Sequence, residues 1–182
     1  YVTYQDKKDI LNAYRHFKKE IQSQPNEERV LDNFDLLGKI GRTLYRLGDL
    51  DDAQAHFNQQ LELAETIGEE RLFPEVLNNL ALIHWTRGDY VTGLNLLNRA
   101  WAIAEDRFRG ENNPTKAVLL GNIGNLELYL GDEMAAYRKC RKALRMLEYK
   151  IGMRHPDLVP LLFKLAQVMR LQGLYDDCLL YT

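Results

Sequence analysis

Apolar residues in this chain recur at helical spacing. Leu37, Ile40, Gly41 and Leu44 fall at i, i+3, i+4 and i+7, which is one face of an α-helix. The small member of that stripe lets a neighbouring helix approach closely. Gly48-Asp49 then predicts a stop and a restart: glycine takes the left-handed conformation at little cost, and aspartate caps the next helix. Leu50, Ala53 and Phe57 follow, small against large, on the face of a second helix that folds back on the first.

The same spacing returns three more times. Gly-Asp steps stand at Gly48, Gly88 and Gly131, with a degenerate Gly173-Leu174 after them, at intervals of 40, 43 and 42 residues. Seven residues before each glycine sits the small member of an aliphatic-small pair: Ile40-Gly41, Leu80-Ala81, Ile123-Gly124 and Leu165-Ala166. Eleven before each glycine is a leucine (Leu37, Leu77, Leu120, Leu162). Five after it comes a small residue (Ala53, Gly93, Ala136, Cys178), and four further on stand Phe57, Leu97, Cys140 and Thr182. Pro74, Asn113-Pro114 and His155-Pro156 open the later copies, where proline suits a helix's first turn. The pattern predicts an all-α array of helical hairpins over 31–72, 73–112, 113–154 and a truncated 155–182. Ala13-Tyr14-Arg15-His16-Phe17 aligns with Ala53-Gln54-Ala55-His56-Phe57, so 1–30 reads as a half-repeat whose helix runs roughly from Lys8 to Gln22. The expectation is a piece of a longer array.

This arrangement resembles the tetratricopeptide repeat (TPR): a leucine-glycine pair, then a small residue, then an aromatic four on. The usual period of about 34 residues is exceeded by about two helical turns, one per helix, which keeps the buried faces aligned. Long repeats of this kind are similar to those of kinesin light chains and LGN/Pins-type spindle adaptors. Asn78-Asn79-Leu80-Ala81-Leu82, Gly88-Asp89-Tyr90 and His155-Pro156-Asp157 carry the nearest local likeness. The resemblance implies a right-handed superhelical solenoid working as a protein-interaction scaffold, with first helices lining a concave groove.

Composition narrows the chemistry. Lys and Arg number 24 and Asp and Glu 26, so the near-balanced charge does not suggest a bulk nucleic-acid or membrane-surface binder. Two cysteines, Cys140 and Cys178, make no disulfide framework and suit the cytoplasm or another reducing intracellular compartment. No apolar run reaches the ~18 residues of a membrane span. No enzyme motif emerges: Gly38-Lys39 lacks the rest of a phosphate loop, and Gly121-Asn122-Ile123-Gly124 lies inside a helical repeat. His16, His56, His84 and His155 have no partners at metal spacing, and His84 reads as a satisfied core histidine. Neither a metal, nor a cofactor, nor catalysis is expected.

The binding expectation rests on the first helices. Their faces turned away from the hairpin partner carry Lys39, Arg42, Tyr45 and Arg46; then Asn78, Asn79, Leu82, Trp85 and Thr86; then Asn122, Asn125, Leu128 and Tyr129; then Phe163, Lys164, Gln167 and Arg170. Lys39, Asn79, Asn122 and Lys164, one before each aliphatic-small pair, resemble the asparagine ladder with which long-repeat adaptors hold a peptide backbone. Five of these residues are basic, with Asp35 and Glu75 near the edge, so the expected ligand is an extended peptide or loop of another protein, acidic and with a large apolar side chain. A competing reading has the array self-associate or pack on a neighbouring domain of its own chain. A second basic feature, seven Lys and Arg from Arg138 to Arg154 against Glu148 alone, predicts a convex patch on an outer helix.

Overall fold

The computed structural model describes residues 30–153 and 155–171, preceded by isolated helical positions Asn12, Arg15, His16 and Lys19. The half-repeat helix expected over Lys8–Gln22 lies otherwise outside the described residues, as do Gly173 and Cys178. Seven α-helices account for most of the described chain: α1 (Val30–Leu47), α2 (Leu50–Thr66), α3 (Phe73–Thr86), α4 (Tyr90–Arg107), α5 (Pro114–Tyr129), α6 (Glu133–Ile151) and α7 (Val159–Leu171). Short 3-10 turns at Glu70–Leu72 and Pro156–Leu158 lead into α3 and α7, and no strand occurs among the described residues. No described helix is long and apolar enough to cross a membrane.

The Gly-Asp steps do what their chemistry predicts. Gly48, Gly88 and Gly131 hold φ of 87°, 81° and 87°, a left-handed conformation that a side chain would strain. The following aspartates cap the second helices: Asp49, Asp89 and Asp132 accept the backbone N–H of Asp52, Thr92 and Ala135. Asn113 does the same for α5 by accepting from Thr115, with Pro114 behind it in the first turn. A single glycine therefore ends one helix while its neighbour starts the next, and the hairpin turn takes two residues after α1 and three after α3 and α5.

The chain divides into two compact units, up to Ile83 and from His84 onward. In the first, α2 packs on α1. Gly41 leaves room for the Phe57 ring, whose Cε1 would lie 2.4 Å from an added Cβ. Beside it, the fully buried Gln60 donates from Nε2 to the Phe34 carbonyl at 3.1 Å. Phe34, Ile40, Leu44, Ala53 and Phe57 form the apolar seam.

In the second unit α5 is the central helix and packs against α4, α6 and α7. Small residues set that approach: Gly124 lies against the sulfur of Cys140, and Gly121 against Leu161. The core gathers Leu120, Cys140, Leu144, Leu158, Leu165 and Met169. Lys116, near the start of α5, is buried yet satisfied: its Nζ reaches Glu105 Oε2 at 2.8 Å and the Phe108 carbonyl at 3.1 Å, with the Trp101 ring centroid 5.7 Å away.

Candidate functional site

The first unit holds the expected positions of α1 and most of those of α3. Lys39, Arg42 and Arg46 are exposed, and Tyr45, Asn78 and Leu82 are half-buried. Arg42 is not a spare cation. Its Nη1 meets Glu75 Oε1 at 2.7 Å, with both side chains about half exposed, so the carboxylate placed at the edge by the sequence neutralises it. Asn79 is 7% exposed, and its buried Nδ2 has no hydrogen-bond partner among the described residues. An amide donor left this way costs about 1–3 kcal/mol.

The second unit brings five expected residues to one place. Asn125, Leu128, Tyr129, Gln167 and Arg170 line a cleft of about 230 Å³ between α5 and α7, together with Leu171. Asn125 is buried and Tyr129 is 55% exposed, so the cleft has an amide in its wall and an aromatic ring on its rim. Trp85 meets Tyr129 edge to face with centroids 5.8 Å apart, and Tyr90 lies tilted against the same ring at 5.1 Å. Tyr90 and Leu171 were missed as site residues. The signal for Tyr90 was available: it is the first residue after the Gly88-Asp89 turn, which brings it back beside the helix just left.

Phe163 does not join this cleft; it is 65% exposed on α7. Asn122 and Lys164 pair with each other, Nζ donating to Oδ1 at 2.7 Å, and line a separate cleft. Burial holds the Lys164 ammonium below its usual range, and the nearby Cys140 partly offsets this. Burial likewise pushes the Cys140 thiol up to about 11.

His84 corrects the expectation of a core histidine. It is half-buried, and its Nδ1 lies 3.1 Å from Asp89 Oδ2 across the turn. Asp89 is held below its usual carboxylate range, first by the hydrogen bonds from Thr92 and then by His84. Among the described residues no group of three or more His, Cys, Asp or Glu could hold a metal ion.

The basic run on α6 is not one solvated patch. Lys139 is paired with Glu127, Arg141 lies against Tyr137, and Lys142 stands 5.3 Å from the Trp101 centroid. Arg138, Arg145 and Lys150 face solvent. A 3.6-residue period spreads such a run around the helix, so Lys139 and Arg141 turn toward packed side chains while Arg138, Arg145 and Lys150 do not.

Two family profiles, each described as tetratricopeptide repeat, match residues 72–148 and 41–59, together just over half of the chain. The chain belongs to the tetratricopeptide-repeat family. As a TPR protein it is similar to the solved structure of BtubC (BKLC) from P. vanneervenii, with 19% identity over 98% of this chain and 72% of that one, at a TM-score of 0.78. It is also similar to a Rap protein solved in complex with Competence and Sporulation Factor: 18% identity, 96% of this chain, 47% of that one, TM-score 0.80. A third likeness is to a Podosopora anserina protein described as a kinesin light chain with nearly identical TPR-like repeats: 15% identity, 98% and 85% coverage, TM-score 0.70. The chain spans about half the length of the Rap protein. By sequence, no curated protein matches it. These likenesses show an all-α, TPR-like solenoid of helix hairpins, the fold of a protein-interaction repeat scaffold.

Proposed function

We propose that this TPR protein captures an extended, acidic peptide or loop of a partner protein on its first helices, with the α5–α7 cleft as the anchor point. The observation that carries this reading is the composition of that cleft. Asn125 and Gln167 supply amides, which donate and accept and so can pair with a peptide backbone in either sense. Arg170 supplies an exposed cation at the rim, and Tyr129, braced by Trp85 and Tyr90, supplies a rigid aromatic wall. A large apolar side chain would lie against Tyr129 and Leu128 while a neighbouring carboxylate meets Arg170.

The Rap protein among the structural likenesses is seen in complex with Competence and Sporulation Factor, so this fold accommodates a bound partner there. The sign of the ligand rests on the exposed Arg170 at the rim of this cleft.

Fluorescence anisotropy with labelled acidic, neutral and basic peptide pools, each read at low and high salt, tests the proposal. Acidic pools containing Phe, Tyr or Leu bind best, and their affinity falls as salt rises. Arg170→Glu and Tyr129→Ala each weaken that binding by about tenfold or more, the range of a hot-spot side chain. Preference for basic pools, or binding indifferent to both substitutions, overturns it.

A further inference from the structure

The second cleft of the His84–Thr182 unit shares no residue with the first and has different chemistry. Its volume is about 250 Å³, and its walls are mostly apolar: Val118 on α5, Leu147 on α6, and Pro160 and Leu161 on α7, with Gly121 at the α5 wall. Space there depends on Gly121, because a Cβ at that position would lie 2.8 Å from Leu161 Cδ1. Only Asn122 and Lys164 bring polar side chains to it, and they are bonded to each other at 2.7 Å.

Lys164 differs from the other lysines of this unit that are buried or half-buried. Lys116 is matched by Glu105, and Lys139 by Glu127, but among the described residues no carboxylate pairs with Lys164. Among the described residues its hydrogen-bond partner is a neutral amide oxygen. A desolvated ammonium without a counter-charge is costly, and the cost is relieved by an anion that brings its own apolar body into the site. Burial already disfavours the charged form here, as expected for a cation held without that anion.

We propose that the α5–α6–α7 cleft is a binding site for a small aliphatic monocarboxylate, whose chain fills the Val118, Leu147 and Leu161 walls and whose carboxylate pairs with Lys164 beside Asn122. The volume sets the size: it falls below the roughly 300 Å³ at which sites for larger organic ligands begin, so the occupant is a short chain. The polar end sets the charge. Lys164 donates to a carboxylate as it now donates to Asn122, and the Asn122 side chain stays within reach of the same group. Because the two clefts share no lining residue, substitutions confined to one test this site separately from peptide capture at Tyr129.

The test is titration of the full chain with hexanoate, hexanol and hexylamine, followed by isothermal calorimetry and by amide chemical-shift changes on α5 and α7. Hexanoate binds and shifts residues around Asn122 and Lys164, hexanol binds at least about tenfold more weakly, and hexylamine does not bind. Lys164→Met keeps the side-chain length and removes the charge, so hexanoate affinity falls to that of hexanol. Val118→Trp, at a half-exposed wall position, blocks hexanoate while leaving the thermal midpoint and peptide binding unchanged. Equal affinity for hexanoate and hexanol, retained hexanoate binding in Lys164→Met, or no binding of hexanoate to the folded wild type overturns the assignment.

Discussion

A Cβ placed on Gly124 would lie 2.8 Å from the sulfur of Cys140 and 3.0 Å from the backbone oxygen of Ala136. The sulfur could shift, but the carbonyl belongs to α6 and moves only with the helix. Gly124→Ala therefore destabilises the protein by about 1–3 kcal/mol through overpacking, despite the roughly 1 kcal/mol by which alanine favours a helix. Urea unfolding measures it. Adding Cys140→Ala relieves the sulfur contact alone and recovers only part of the loss. Gly38→Ala is the milder comparison, because its nearest atoms are the ends of the flexible Gln60 and Arg42 side chains.

The helix caps predict an acid limb. Asp89 is held below its ordinary value of 3.8, mainly by Thr92, so the folded state binds the proton less readily than the unfolded one. For a depressed carboxylate the stabilisation is fully present above the unfolded value and is lost as pH falls from there through the lowered folded value. Asp89→Asn keeps an acceptor for the Thr92 N–H, so its stability changes less with pH below 3.8 than that of the wild type. Denaturant midpoints of the two proteins across that acid range decide the matter. At the next turn, Asp132→Ala removes the bond to Ala135 and costs about 1 kcal/mol, whereas Asp132→Asn costs little.

Much of this architecture is legible because the chain writes it in punctuation. The Gly48, Gly88 and Gly131 turns were visible because left-handed backbone and an acidic cap each need a narrow choice of residue. A second series went unread: Gly68, Gly110 and Gly152 also have positive φ and recur at an interval of 42 residues, closing the second helices. The binding face was harder to read, since helical spacing gives the direction of a side chain but not its partner. Arg42 and Lys164 look alike in sequence, yet one meets the Glu75 carboxylate, distant along the chain, and the other the Asn122 amide. Tyr129 could be read as an anchor, but its bracing by Tyr90 depends on how tightly the Gly88-Asp89 turn returns.

The basic run on α6 separates into structural and surface charges that substitution distinguishes. Lys139 is 32% exposed and its partner Glu127 only 14%, with Glu127 Oε2 buried and otherwise unbonded. Lys139→Met strands that carboxylate and costs about 1–3 kcal/mol. Arg138→Gln and Arg145→Gln, both on the solvent side, stay within about 0.5 kcal/mol of wild type. If all three substitutions cost the same, the division of the run into two faces is wrong.

Cys140 gives a readout of the α5–α6 seam. Its thiol is fully buried and burial pushes its pKa from 9.0 to about 11, so very little thiolate exists near neutrality and little of it is accessible. In a Cys178→Ser background, Cys140 therefore resists a disulfide-exchange reagent at pH 8 in the native state and reacts fully once urea unfolds the chain. The same shift has an alkaline consequence. A thiol raised in the folded state contributes stability that is complete below the unfolded value of 9.0 and is lost as pH climbs toward about 11, because the unfolded chain releases that proton first. Cys140→Ala removes this slope, so its stability curve runs flatter than wild type across that window even though it starts lower from the lost packing against Gly124. Rapid labelling of the native thiol at pH 8 would mean that α6 opens from α5 far more often than a seam packed around Gly124 allows.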